Sequence, residues 1–313
     1  MMSSPRILQL VDTLEYAKTN CFQHQLLKSL RGIAQTETCA LPALERALDM
    51  DDRPVIVCLK QRTLAQNLDV LKDHLGDTPI VIYDQDPWQA YMDDPGYVGK
   101  GVYERAVEQL NVKAICVTTQ WWADFLAHRG LPGIFVNMWM LPEYCTETPT
   151  YEDRSISVGF VGSLHPHRQK LFDQLEDMGI IVNVQGGGLS YQSYLNELSK
   201  IRVFIHSEDC PIMCEKQELN LKDALWIKDI EAAARGCFTI RNAGAGFLSY
   251  YDGCLTSFLY ENVEDIPNIL SDIQKMDPTS RQLLINSAVR YIRESNKWEE
   301  TARTLVTLAT EGT

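Results

Sequence analysis

Chemistry in this chain is concentrated where apolar runs give way to polar ones. The first such place is Gly162-Ser163-Leu164-His165-Pro166-His167-Arg168, directly after the apolar run Ile156 to Val161. A glycine lets the backbone approach a ligand closely. Pro166 suits the first turn of a helix, and the free N–H groups of a helix start favour a pyrophosphate. His165, His167 and Arg168 add charge or donors. An ordinary strand-to-helix turn with a proline start would show the same residues.

The second place is Leu221 to Phe238, with Lys222, Asp223, Lys228 and Glu231 ahead of Ala232-Ala233-Ala234-Arg235-Gly236. On a helix, Asp223 and Glu231 lie about two turns apart near one face, and Lys228 lies on a neighbouring face. Glu231 is suited to accept both hydroxyls of a ribose. Lys222 and Lys228 are suited to neutralise a leaving diphosphate without a metal. The competing reading is an amphipathic helix with solvated charges.

The third is Tyr83-Asp84-Gln85-Asp86-Pro87-Trp88, after the run Pro79 to Tyr83. Asp86 is placed to act as a general base toward a substrate hydroxyl, with Asp84 beside it. Trp88 offers a ring face for stacking, as do Trp121 and Trp122 further on, although core packing is the commoner use of tryptophan. His206, at a strand end beside Ser207, is the better candidate of the lone histidines. The run Gly186-Gly187-Gly188 lacks a following Lys-Ser or Lys-Thr, so it reads as a flexible loop rather than a phosphate cradle.

The elements that must position these residues alternate. Strand signals fall at Ile7–Val11, Pro54–Leu59, Pro79–Tyr83, Ala114–Val117 and Ile134–Val136, with helical spacing at about 22–30, 64–75, 102–110 and 121–128. Leu141 to Arg154 breaks the pattern and reads as a linker. The pattern then restarts, with strands at Ile156–Val161, Ile180–Val184, Val203–Ile205, Cys237–Ile240 and Thr256–Leu259. Helices are expected at about 166–178, 191–198, 224–234, 263–275, 280–294 and 298–308. Such alternation predicts α/β architecture with parallel sheets, whose ligands bind outside the carboxyl ends of the strands.

The segment Lys228 to Phe238 resembles the donor-site helix of GT-B glycosyltransferases, in which an acid-x7-acid pattern precedes small residues and a glycine. The Gly162-Ser163 turn is similar to the loop after the first strand of their donor domain, and Tyr194 to Val203 to the helix and strand between. The closing segment Lys297-Trp298-Glu299-Glu300-Thr301-Ala302 looks like that of the spore-maturation-protein type. The sequence departs from the pattern at Asp223, where glutamate is usual, and at Ala224-Leu225-Trp226, where glycines are usual.

The resemblance implies two Rossmann-like domains facing across a cleft. The expected division is an acceptor domain over 1–145, a donor domain over 155–297, and a last helix, 298–313, crossing back to the first. It implies transfer of a sugar from a nucleoside diphosphate sugar to an acceptor hydroxyl without a metal or other cofactor. Gly162, Ser163, His165, Arg168, His206, Lys222, Asp223, Lys228 and Glu231 would bind the donor. Lys228 and Arg168 would stabilise the leaving diphosphate, and Asp86 would be the base of an inverting reaction. Asp84, Asp86, Trp88, Trp121 and Trp122 would face the acceptor, a glycan, lipid or small molecule. Asp84-x-Asp86 also matches the metal motif of GT-A glycosyltransferases, a reading that leaves the second half unexplained. A sugar-nucleotide epimerase or hydrolase on this scaffold, or a two-lobed sugar-binding protein, are the rivals.

Composition sets the outer bounds. The chain has 313 residues, enough for two domains, with 45% hydrophobic and 23% charged residues, as in an ordinary globular protein. A net charge of −13 repels phosphate backbones, which makes nucleic acid an unexpected partner. No stretch approaches the roughly 20 apolar residues of a membrane span, so a cytoplasmic protein with at most peripheral membrane contact is expected. The nine cysteines follow no regular spacing, and Cys58, Cys116 and Cys237 read as buried thiols.

Overall fold

Runs of β-branched residues bounded by helical stretches fold here as parallel strands with helical crossovers. The structure, a computed structural model, describes residues 5–15, 21–44, 53–94, 96–146, 148–220, 226–244 and 256–310. The chain divides into two units: Met1–Met138, Met213–Glu218 and Lys297–Thr313 form unit 1, and Trp139–Ile212 with Leu219–Asn296 forms unit 2.

Unit 1 is built on β1 (Arg6–Val11), β2 (Gln35–Ala40), β3 (Val55–Cys58), β4 (Ile80–Asp84), β5 (Val112–Val117) and β6 (Gly133–Phe135). The order is β2-β1-β3-β4-β5-β6, all parallel. Every residue of β3 and β4 is buried, which explains their continuous apolar sequences. β2 is an edge strand with the polar sequence Gln-Thr-Glu-Thr-Cys-Ala, so its apolar run was too weak to predict it. The helices are α1 (Cys21–Arg31), α2 (Gln61–Gln66), α3 (Leu68–Leu75), α4 (Val102–Gln109) and α5 (Gln120–His128). The single helix expected over 64–75 is broken at Asn67. Its backbone leaves the helical region, and its side chain donates to the Thr63 carbonyl at 2.7 Å.

Unit 2 is built on β7 (Ile156–Val161), β8 (Asn183–Gln185), β9 (Ile201–His206), β12 (Phe238–Asn242) and β13 (Ser257–Tyr260). A two-stranded hairpin, β10 (Pro211–Cys214) and β11 (Gln217–Asn220), leaves the chain after β9. The sheet order is β13-β12-β9-β7-β8, again parallel. The helices are α6 (Pro166–Asp177), α7 (Tyr191–Leu198), α8 (Ile227–Ala234), α9 (Ile266–Lys275) and α10 (Pro278–Ser295). The last helix, α11 (Lys297–Thr310), belongs to unit 1, where it packs on α1 and its buried Trp298 ring lies 6.2 Å from that of Tyr83. Among the described residues no helix is long and apolar enough to cross a membrane.

Both sheets share one topology. The first strand of each has the second on one side and the third on the other, so the winding reverses at β1/β3 and at β7/β9. Loops on either side of such a reversal part at the carboxyl ends and leave room for a ligand.

The stretch read as a linker is packed within unit 2. Arg154, 2% exposed, donates to the carbonyls of Ile201 (2.9 Å), Pro149 (3.1 Å) and Arg235 (2.9 Å) and to Thr148 Oγ1 (2.9 Å). Gly236 makes room for it. Its φ is +77°, and a Cβ there would lie 2.5 Å from Arg154 Nη2 and 2.9 Å from Thr148 Oγ1. Gly236→Ala therefore meets both the left-handed backbone penalty and a collision with a bonded guanidinium, together about 3 kcal/mol. Urea unfolding of the variant checks this; an unchanged midpoint would show that Arg154 yields without cost.

Candidate functional site

The reversal point of unit 2 gathers the turn after β7 and the polar ends of β9 and β12 near the starts of α6 and α8. β7 runs into Gly162, whose φ of +141° suits glycine. A Cβ on Gly162 would stand 3.1 Å from Lys228 Cε, so the turn after β7 lies directly against the first turn of α8 and leaves little room for a side chain. Ser163 and His165 follow, both exposed, and α6 begins at Pro166 with its first N–H groups directed toward this end. The Gly186-Gly187-Gly188 loop after β8 reaches the same place, since a Cβ on Gly187 would lie 3.3 Å from Ser163 Oγ.

Beneath these groups lies a buried charge network. Parallel register sets His206 of β9 beside Arg241 of β12, and both side chains turn to Asp229 in α8. His206 Nε2 meets Asp229 Oδ1 at 2.6 Å, and Arg241 Nη1 donates to Asp229 Oδ2 at 2.6 Å. Asp229 also accepts the Trp226 backbone N–H at 3.2 Å, holding the first turn of α8. The other ring nitrogen, His206 Nδ1, lies 3.3 Å from Glu208 Oε1. Glu208 accepts from Arg168 Nη2 as well, and His167 Nε2 is 3.7 Å from its second oxygen. Its backbone N–H donates to Asn242 Oδ1 at 2.9 Å. Arg168, His206, Glu208, Asp229 and Arg241 are all 3% exposed or less.

The network sorts the carboxylates. Burial alone would raise Asp229, but the Arg241 charge and His206 hold it below the usual carboxylate range. Burial likewise opposes ionisation of Glu208, and the nearby His167 and His206 with the Arg168 charge pull it well below that range. Glu231 differs. Burial pushes it up, only partly offset by the hydroxyls of Tyr191 and Tyr194 and by Lys228. The Tyr191 hydroxyl donates to Glu231 Oε1 at 2.8 Å. His165 is held below the usual histidine value by desolvation and the neighbouring Arg168 charge.

These placements revise the residues expected to meet a donor. Gly162, Ser163, His165 and Lys228 lie at one strand end, while Glu231, one turn further along α8, is 2% exposed and bonded by Tyr191. Arg168 does not offer a free charge, because Glu208 neutralises it and its other amino group donates to the Ser163 carbonyl at 2.7 Å. His206 presents no ring atom to a ligand, since it is fully buried with both nitrogens facing carboxylates. Lys222 and Asp223 lie outside the described residues.

The group expected to face an acceptor lies in unit 1. Asp84, at the end of β4, is buried and accepts from Gln61 Nε2 (2.5 Å), Tyr103 OH (2.6 Å) and the Asp86 N–H (2.8 Å). Burial raises its pKa against those hydrogen bonds. It therefore organises the turn instead of facing a ligand. Asp86 and Trp88 are half-buried in that turn. Trp122 is 5% exposed and stacks on Tyr91 at 6.1 Å, which makes it core. Trp121, 47% exposed, keeps an available ring stacked on Phe125 at 5.4 Å.

Sequence reasoning missed Glu208, Asp229, Arg241, Asn242 and Tyr191. Asp229 was not singled out among the charges of the segment that forms α8. The usable signal was that two apolar strands end in His206-Ser207-Glu208 and Arg241-Asn242, polar residues at adjacent carboxyl ends.

Comparison with solved structures places this architecture. An alpha-glucosyltransferase in complex with UDP and a 13-mer DNA containing a HMU base superposes with a TM-score of 0.67 at 11% identity, over 97% of this chain and 100% of that one. Anabaena HepE in complex with UDP and glucose gives 0.63 at 12% identity, over 96% and 99%. A glycosyltransferase from Rickettsia africae gives 0.53 at 9% identity, over 99% and 100%. The fold is GT-B. No family model matches the chain, and no curated protein matches it.

The carboxylates fix a pH dependence. Asp229 and Glu208 are lowered on folding, so their contribution is complete above the ordinary carboxylate value of about 4 and drains away as pH falls below it toward the folded values. Glu231 is raised, so its cost appears as pH rises past that same ordinary value. Asp229→Asn is expected to lose roughly 3–5 kcal/mol at neutral pH, since it strands Arg241 and His206. It should also weaken the acid dependence. Urea unfolding at neutral and acid pH tests both; equal losses from wild type and variant on acidification would remove Asp229 from the network.

Proposed function

We propose that the protein is a glycosyltransferase that moves a sugar from a nucleoside diphosphate sugar to an acceptor hydroxyl without a metal. The observation that carries the reading is the meeting of Gly162, Lys228 and the α6 N-terminus at the reversal point of unit 2, with Glu231 one turn along α8, in a fold shared with UDP-bound glycosyltransferases. In the reaction, the bond between the sugar's anomeric carbon and the diphosphate oxygen breaks. The acceptor oxygen bonds to that carbon, and the diphosphate leaves with the electron pair.

Each residue has a share. The α6 N–H groups and Lys228 meet the diphosphate, stabilising charge that grows as it leaves. Glu231 accepts from the ribose hydroxyls, replacing the Tyr191 hydroxyl or sharing with it. A carboxylate that burial pushes up gains from such donors, because they favour its ionised form. Asp86 takes the acceptor proton if the reaction inverts, and Trp121 supplies a ring face for the acceptor. With Arg168 compensated by Glu208, the positive charge falls to Lys228 and the helix dipole.

The acceptor is a glycan, lipid or small molecule. The alpha-glucosyltransferase structures contain DNA, but a net charge of −13 weighs against a DNA acceptor here. A cytoplasmic location and the finer likeness to the spore-maturation-protein type belong to the same proposal, the latter supported by the motif order from Gly162 to Glu300.

Calorimetry with a panel of nucleoside diphosphates in EDTA tests the proposal. One nucleotide is expected to bind, and Glu231→Ala should weaken it at least about tenfold through lost charge-assisted hydrogen bonds. Binding that needs a divalent metal and is lost in Asp86→Ala, but kept in Glu231→Ala, would replace this reading with Asp-x-Asp metal chemistry.

A further inference from the structure

His206 has a hydrogen-bonding problem with one solution. A neutral imidazole carries one N–H and one lone pair. Here both ring nitrogens face carboxylate oxygens, Asp229 Oδ1 at 2.6 Å and Glu208 Oε1 at 3.3 Å, with the ring fully buried. A lone pair turned toward either oxygen would be a buried repulsion without solvent relief. Both carboxylates are held in their ionised form by other partners as well, Asp229 by Arg241 and Glu208 by Arg168. Neither is thus the natural owner of the missing proton.

We propose that His206 carries a proton on both ring nitrogens and is a positioning residue, clamping α8 to the carboxyl end of β9 and so setting where Lys228 and Glu231 meet the donor. The proposal rests on the donor-site reading of unit 2. The clamp works through Asp229, which sits between Lys228 and Glu231 in α8. With His206 protonated, two guanidiniums and one imidazolium face two carboxylates, leaving one positive charge in excess behind the surface that receives a diphosphate. Loss of that proton removes the excess charge and one of the clamp's two hydrogen bonds together.

Charged groups face His206 from each element packed on it. From its own strand end it faces Glu208, with Asp209 beyond; from α8, Asp229 and, further out, Lys228. From β12 comes Arg241, and from α6 come Arg168 and His167 through Glu208. Tyr260 at the end of β13 stays un-ionised, its phenol pushed up to about 12 by burial.

Two measurements on the full chain decide it. In ¹⁵N-labelled protein, with His206→Gln to assign the ring, both His206 nitrogens are expected to carry protons at neutral pH. A neutral tautomer there would overturn the proposal. UDP is then titrated by calorimetry from mildly acid to mildly alkaline pH. Wild-type affinity should fall with rising pH by more than UDP's own ionisation accounts for. His206→Gln should start about tenfold weaker, as expected for a lost charged hydrogen bond, and show only UDP's dependence. Identical pH profiles in the two proteins would refute the positioning role. If UDP and the other nucleoside diphosphates fail to bind wild type at any pH, the donor-site reading fails and takes the positioning role with it. The ring protonation is still settled by the spectrum.

Discussion

Asp229 is the point on which unit 2 turns. A carboxylate with no exposure is expensive to ionise, and only close partners make it tolerable. Arg241 comes from one strand and His206 from its neighbour, brought side by side by parallel register. The carboxylate they share sits in the first turn of the covering helix. One residue therefore fixes strand to strand and sheet to helix. Replacing such a network by well-packed apolar residues is often neutral or better for stability. Its value here is geometric, because charges at fixed distances admit one placement of α8 and hydrophobic contacts admit several.

The two sheets make the same turn in topology and fill it with different chemistry. At the reversal point of unit 1 the buried polar groups are largely amides: Gln23 Nε2 donates to the Cys58 carbonyl at 2.9 Å and Gln9 Nε2 to the Gln23 carbonyl at 3.4 Å. The nearby Asp84 is spent on the turn after β4. Unit 2 places guanidiniums, imidazoles and carboxylates at the equivalent position. Amides hold a backbone in place but bring no field. A charged network beside a helix start fixes the placement of that helix through ion pairs of defined direction.

Much of this was legible in the sequence. Continuous apolar runs gave β3 and β4, because strands buried on both faces need no polar alternation. Glycine and proline in the turn after Val161 marked the start of α6. The polar edge strand β2 and the break at Asn67 were not legible, since each depends on local hydrogen bonding that periodicity does not register. For the site, residue type predicted position better than role. His206 was read at a strand end and Arg168 at the helix start after one, where they lie, but a histidine and an arginine look alike in sequence whether they face a ligand or a buried carboxylate. Only the partners Glu208 and Asp229, distant in sequence from Arg168 and His206 respectively, separate the two.

That distinction alters how the proposed chemistry must be divided. If Arg168 faced a diphosphate directly, it would carry full charge at the leaving group and Glu208 would be a needless liability nearby. Paired as they are, the two shape the turn after β7, with Arg168 also gripping the Ser163 carbonyl. The task of meeting negative charge then passes to groups with little compensating charge of their own, Lys228 and the backbone N–H groups of α6. Lys228 passes close to Gly162, and a Cβ at that position would stand 3.1 Å from its Cε, so a larger residue there has to displace the lysine chain. Charge delivered by an ordered backbone and one positioned lysine needs no reorganisation as the leaving group forms, which is the condition under which electrostatics lowers a barrier. The buried pairs are the scaffold for that condition, and their own charges are largely spent on one another.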